Sequence, residues 1–147
     1  MKPKFYLVIM LAVGCMLSSC NEDLDSFRNT KELAGIWCMP YDDGTVEFYV
    51  ELTESKFSLY YDDNYYDTND YATYKDGYIV NGSDTEWEKM ISVLYEFDEK
   101  DQCLYYNGIE AATLQRIGKD EAIMKSDLLA DFLGISNMHI YRVKGIK

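Results

Sequence analysis

Val46, Phe48, Val50 and Leu52 alternate with Thr45, Glu47, Tyr49 and Glu51. A period of two turns one side of the segment towards a core and the other towards water, which predicts a half-buried strand. Asp42-Asp43-Gly44 precedes it as a hairpin turn, since Gly44 can take positive φ. In the next strand Phe57, Leu59 and Tyr61 alternate with Lys56, Ser58 and Tyr60. That alternation turns Tyr61 inward and Tyr60 outward. Lys75-Asp76-Gly77 predicts a tight turn between strands at 71–74 and 78–80. A longer strand at 87–97 stops at Asp98-Glu99-Lys100-Asp101. Strands at 103–106, 112–117 and 122–125 follow, separated by Asn107-Gly108 and Gly118-Lys119-Asp120. Ser126 is placed to N-cap a helix that carries Leu128, Leu129, Phe132 and Leu133 on one face, with Gly134 at its C′ position. A last strand spans 138–143. Short strands at this spacing, divided by Gly, Asp and Asn turns, predict an all-β sandwich or barrel.

The N-terminus reads differently. Lys2 and Lys4 precede an apolar run at 5–17. It is shorter than the roughly 20 residues a bilayer span requires. A charged start, a short apolar run and small residues describe a cleaved export signal. Leu17-Ser18-Ser19-Cys20 resembles the lipobox of bacterial lipoproteins. The resemblance implies cleavage before Cys20 and acylation of Cys20, an anchor that holds stably once more than one chain is attached. Asn21-Glu22-Asp23-Leu24-Asp25 then resembles the acidic signal that takes some Gram-negative lipoproteins to the outer face of the outer membrane. A plain solvated tether on the periplasmic face stays open as the alternative.

Charge narrows the partners. The whole chain carries a net charge of −12, with 14 basic and 26 acidic residues. A leader ending at residue 19 takes away Lys2 and Lys4 and no acid, so the remainder carries 12 − 26, or −14. Such a surface repels nucleic acid, whose binding needs Lys and Arg to neutralise phosphates. It repels anionic lipid heads as well, which leaves the acyl anchor as the expected contact with the membrane. Cys38 and Cys103 then remain, as a candidate disulfide in a compartment that permits one or as two buried thiols.

Gly35-Ile36-Trp37 opens the strand pattern and Tyr141-Arg142 lies on its last strand. This resembles the lipocalins, which carry Gly-x-Trp on the first strand and an arginine at the end of the barrel. With the lipobox, the chain resembles small bacterial lipocalin-like lipoproteins over residues 33–145. The resemblance implies that Arg142 packs over Trp37 and closes the barrel base, by an attraction of roughly 0.5–2 kcal/mol. The expected fold is thus all-β: a small antiparallel lipocalin-like barrel of about 8–10 short strands with one short helix before the last. The expected division is a signal peptide at 1–19, an acidic tether at 20–31 and the barrel at 32–147.

Catalytic chemistry finds little support. His139 is the one histidine, so no two-histidine metal site exists and no Ser–His–Asp set can be argued. No glycine-rich phosphate loop is present. Carboxylates abound, but nothing selects a glycosidase pair. Asp62, Asp63, Asn64, Asp67, Asn69 and Asp70 are hard donors, yet the sixth position from Asp62 is Asp67 instead of Gly and the twelfth is Thr73 instead of Glu, which fails the EF-hand loop. The expectation is a binding protein without cofactor, metal or catalysis. Phe48, Phe57 and Leu59, with Val50 and Met90, are the candidates to line a cavity for a small apolar ligand. Tyr65 and Tyr66, in an acidic loop with no core to attract them, are the candidates to hold a glycan or an envelope protein. A barrel filled by side chains, acting as an accessory of an envelope complex, is the alternative.

Overall fold

The computed structural model describes residues 26–147, so the expected leader, Cys20 and the first acids of the tether lie outside the described residues. In chain order the elements are helix α1 (Thr30–Leu33), β1 (Gly35–Cys38), β2 (Phe48–Leu52), β3 (Lys56–Asp62), β4 (Thr73–Lys75), β5 (Tyr78–Val80), β6 (Trp87–Leu94) and β7 (Glu96–Asp98). They continue as β8 (Cys103–Tyr106), β9 (Ile109–Gly118), β10 (Glu121–Lys125), helix α2 (Asp127–Leu133), β11 (Asn137–Val143) and β12 (Gly145–Ile146).

Nine of these strands form one sheet in the order β6-β3-β2-β1-β11-β10-β9-β8-β7, each pairing antiparallel. Its two ends are β6 and β7, yet only Tyr95 separates them in the chain. The segment expected as one strand at 87–97 is therefore one bent strand that leaves the sheet at one edge and rejoins it at the other. Nine segments less that one break give an eight-stranded meander, nearly closed into an antiparallel barrel. Helix α2 comes immediately before the last barrel strand, as expected.

Side-chain alternation divides the interior from the outer face. Trp37, Val50, Leu52, Leu59, Leu104 and Ile140 are buried in the barrel core. The intervening Cys38, Tyr49 and Val143 point outward into a second core with Val46, Ala72 and Ile79. A small sheet in the order β12-β5-β4 supplies that cover, with β12 running parallel to β5. Val46, expected on the same face as Phe48 and Val50, belongs to this second core instead, because β2 starts only at Phe48. Packing also begins before residue 32: Phe27 is fully buried and meets Trp37 edge-on, with centroids 5.9 Å apart.

The turns follow their chemistry. Asp76-Gly77 and Asn107-Gly108 both take positive φ at each residue, the geometry that matches hairpin twist. Ser126 Oγ accepts from the Leu129 amide at 3.0 Å, and Gly134 ends α2 at φ 70°.

The candidate disulfide between Cys38 and Cys103 does not form; both are free, buried thiols. Cys38 lies on β1 and Cys103 on β8, four strand positions apart in the sheet, and neighbouring strands are about 4.8 Å apart. Burial pushes the Cys38 thiol up to about 12. With Cys15 and Cys20 replaced by Ser, both remaining thiols should resist an aromatic disulfide reagent at pH 8 and react at once in denaturant. Fast reaction of either in the native chain would contradict this packing.

Trp37→Ala should lower unfolding free energy by about 3–5 kcal/mol in a urea titration, because it removes the largest fully buried side chain.

Candidate ligand-binding site

The barrel has a sealed base. The Arg142 guanidinium lies 4.4 Å from the Trp37 ring centroid. It donates from Nη1 to the Ala34 carbonyl at 2.6 Å, from Nη2 to the Glu32 carbonyl, and from Nε to Asp120 Oδ1 at 3.0 Å. Trp37 Nε1 donates to the Leu33 carbonyl at 2.9 Å. Gly35 makes this approach feasible: its φ is +136°, and a Cβ there would meet Arg142 Nη1 at 3.1 Å. Burial lowers the pKa of Arg142 and the Asp120 carboxylate opposes that shift. Beside it, Arg116 lies 4.7 Å from the Phe27 ring centroid and donates from Nη1 to the Ser26 carbonyl at 3.0 Å. Gln102 Nε2 donates to the Phe27 carbonyl and Gln102 Oε1 accepts from the Phe27 amide, at 2.8 and 2.9 Å. The segment before β1 is thus a tied-down plug.

A cavity of about 350 Å³ opens where the barrel is not closed by hydrogen bonds. Phe57 on β3 and Ile91 and Val93 on β6 form one wall. Leu104 and Tyr106 on β8 and Ala111 and Ala112 on β9 form the other, and Leu128 and Leu129 of α2 lie across. Tyr95 stands at the bend and donates its hydroxyl to the Thr53 carbonyl at 2.6 Å. Ser126 Oγ, also in the lining, donates to the Ala111 carbonyl at 2.6 Å while it caps α2.

Of the residues expected to line a cavity, Phe57 does so. Phe48, Val50 and Leu59 belong to the barrel core without touching the cavity, and Leu59 is fully buried. Met90 is 41% exposed and lies outside it. The cause is a bulge: Leu59 pairs with Ile91 but Tyr60 with Lys89, so Met90 is skipped in the ladder and alternation resets. Ile91 and Val93 take the place that simple alternation gives to Met90. Tyr106 and Leu128 line the cavity as well, although the sequence placed Leu128 only on the apolar face of its helix and Tyr106 only in a strand, because alternation does not say which distant elements meet at the seam.

Tyr65 and Tyr66 lie on a 3-10 turn at Tyr65–Asp67, in the insertion between β3 and β4, and neither lines the cavity. Tyr65 is held in place. Its ring contacts those of Tyr41, Tyr66 and Tyr71, with centroids 6.1, 5.3 and 4.9 Å away, and its hydroxyl is 3.1 Å from Thr45 Oγ1. Tyr66 is 83% exposed. Asp62 anchors this insertion: it is buried, and Oδ1 accepts from the Asn64 and Glu86 amides at 3.1 and 3.0 Å. Gly82 lets the flanking loop close on it, since a Cβ there would lie 1.8 Å from the Asp70 carbonyl oxygen. The Tyr41 hydroxyl donates to Glu47 Oε2 at 2.6 Å, and burial, followed by that carboxylate, pushes the Tyr41 phenol up.

His139 points away from the barrel interior. It pairs through Nε2 with Glu121 Oε1 and stacks on Tyr141 with centroids 4.6 Å apart. Among the described residues no three His, Cys, Asp or Glu side chains converge to hold a metal ion, and no helix is long and apolar enough to cross a membrane. No family model matches the chain, and no curated protein or solved structure is significantly similar to it.

Burial pushes the phenols of Tyr49 and Tyr95 up to about 12. The folded state therefore holds these protons more tightly than the unfolded chain, whose tyrosines ionise near 10. The resulting stability is fully present below pH about 10 and is lost as pH rises towards 12. Urea midpoints should fall across that window, and Tyr95→Phe should flatten the fall. An unchanged slope in the variant would remove Tyr95 as a cause.

Proposed function

We propose that this chain is a lipid-anchored, lipocalin-like protein that holds a small apolar molecule in the cavity under helix α2, without catalysing a reaction. The observation that carries the reading is the cavity itself, about 350 Å³ and walled by apolar side chains. Small-molecule sites fall at roughly 300–1,000 Å³, are mostly apolar and are largely pre-formed. An eight-stranded barrel is just wide enough to be filled by side chains or to keep one small ligand. Here the base is filled by Phe27, Leu33 and Trp37. At the seam, Ala111 and Ala112 stand where larger residues would fill the space. That contrast favours a ligand site over a solid barrel acting only as an envelope accessory. The lipobox resemblance at Cys20 supports an acyl anchor in the outer membrane, and the acids after it favour the cell surface.

A second reading rests on Tyr66. An aromatic ring 83% exposed, backed by the fixed Tyr65 and set among acids, suits a glycan or an envelope protein. On this reading Tyr66→Ser abolishes capture of that partner and leaves the cavity ligand in place.

Native mass spectrometry of the chain, purified gently from its own cells, should show an added mass that disappears on denaturation. Ala112→Phe should remove most of it, with a circular-dichroism melt to show that the barrel still folds. Retention of the full added mass by a folded Ala112→Phe chain would exclude the cavity as its site. Cys20→Ala should move the protein from the membrane to the soluble fraction; an acylated, membrane-bound variant would sink the anchor.

A further inference from the structure

Which ligands the cavity accepts can be argued from its charges and its unused hydrogen bonds, taking the apolar-ligand reading as the starting point. No lining residue is charged. Three lysines lie near the lining in sequence, and each is directed elsewhere. Lys56 precedes the inward Phe57 and pairs with Leu94, which is 68% exposed on the outer face. Lys89 holds its ammonium 5.6 Å from the ring centroid of Tyr60, a residue of the second core. Lys125 follows the inward Met124 and is exposed opposite Asn137. Arg116 and Arg142 are committed to the sealed base. The charged neighbours in the chain next to Ala111 and Ser126 include two acids, Glu110 and Asp127.

Hydrogen-bonding capacity is as limited. Ser126 Oγ is engaged as donor and acceptor, and the Tyr95 hydroxyl is given to Thr53. Among the described residues the Tyr106 hydroxyl makes no hydrogen bond, and Tyr106 is 38% exposed, so it sits at the mouth. Leu128, 41% exposed, makes the facing rim apolar.

We infer that the cavity selects uncharged ligands, an apolar chain or ring bearing one hydroxyl or carbonyl group that meets Tyr106, and discriminates against carboxylates. An anion entering would lose hydration and find no cation in the lining. An alcohol or ketone has one polar group to satisfy and one hydroxyl to satisfy it.

The test uses the full chain loaded with Nile red, a neutral dye, and displacement at pH 8 by 1-octanol, octanoate and 1-chlorooctane. The expected result is an apparent Kd for 1-octanol about tenfold or more below that for octanoate. Tyr106→Phe should weaken 1-octanol by about two- to tenfold and leave 1-chlorooctane unchanged. Octanoate binding as tightly as 1-octanol overturns the inference and leaves the apolar-ligand reading standing. So does failure of 1-octanol to displace a dye that does bind. Equal loss of 1-octanol and 1-chlorooctane in Tyr106→Phe overturns the role of its hydroxyl. A dye that does not bind, or that binds a folded Ala112→Phe chain equally well, overturns the apolar-ligand reading and the inference with it.

Discussion

The Arg142 guanidinium stacked on the Trp37 indole is the contact on which the barrel depends. It joins the first and last barrel strands at a point where they are already paired, Trp37 opposite Arg142. A half-buried cation needs acceptors, and it finds the Ala34 and Glu32 carbonyls and the Asp120 carboxylate. Those carbonyls belong to the end of α1 and the residue after it, so satisfying the arginine also fixes the segment that plugs the base. Gly35 is part of the same constraint, because a side chain there would crowd the guanidinium at a backbone angle that favours glycine.

Sealing one end places the variable part of the barrel elsewhere. A strand cannot follow both edges of a closing sheet without bending, and the bend falls at Tyr95. Ahead of it, the bulge between β3 and β6 re-aims Ile91 and Val93 inward. Behind it, another irregularity separates Leu104 and Tyr105 in the pairing of β8 with β9. Local ladder defects on both sides of the seam leave room that α2 covers and does not fill. The cavity is the geometric remainder of closing this barrel through one bent strand. The opposite outer face of β1 and β2 is shielded differently, by the small sheet and its tyrosines, which removes an apolar surface from water.

Much of the fold was legible. Asn107-Gly108 and Asp76-Gly77 identify their turns because few other pairs tolerate positive φ twice. Ser126 and Gly134 delimit α2 by capping chemistry that acts over a single turn. The inward set Phe48, Val50, Leu52, Phe57 and Leu59 follows from a period of two. Less of the site was legible. Phe57 was assigned to the cavity and lies there, but Met90 was placed one residue out of phase by a bulge that leaves no mark in composition. Val46 looked like a barrel residue, since alternation cannot tell one apolar layer from another on the far side of the sheet.

The sequence by itself determined what depends on neighbours along the chain: strand periodicity, turns, helix caps and a net negative charge. Tertiary structure alone decided what depends on residues far apart: that β6 and β7 sit on opposite edges, that Cys38 and Cys103 stay apart, that the lysines flanking the lining point outward, and that Tyr106 and Leu128 face the same mouth. The physical reason is that alternation gives a side chain's face relative to its neighbours, whereas a cavity needs the register and curvature of the whole sheet, and these emerge only when the barrel closes.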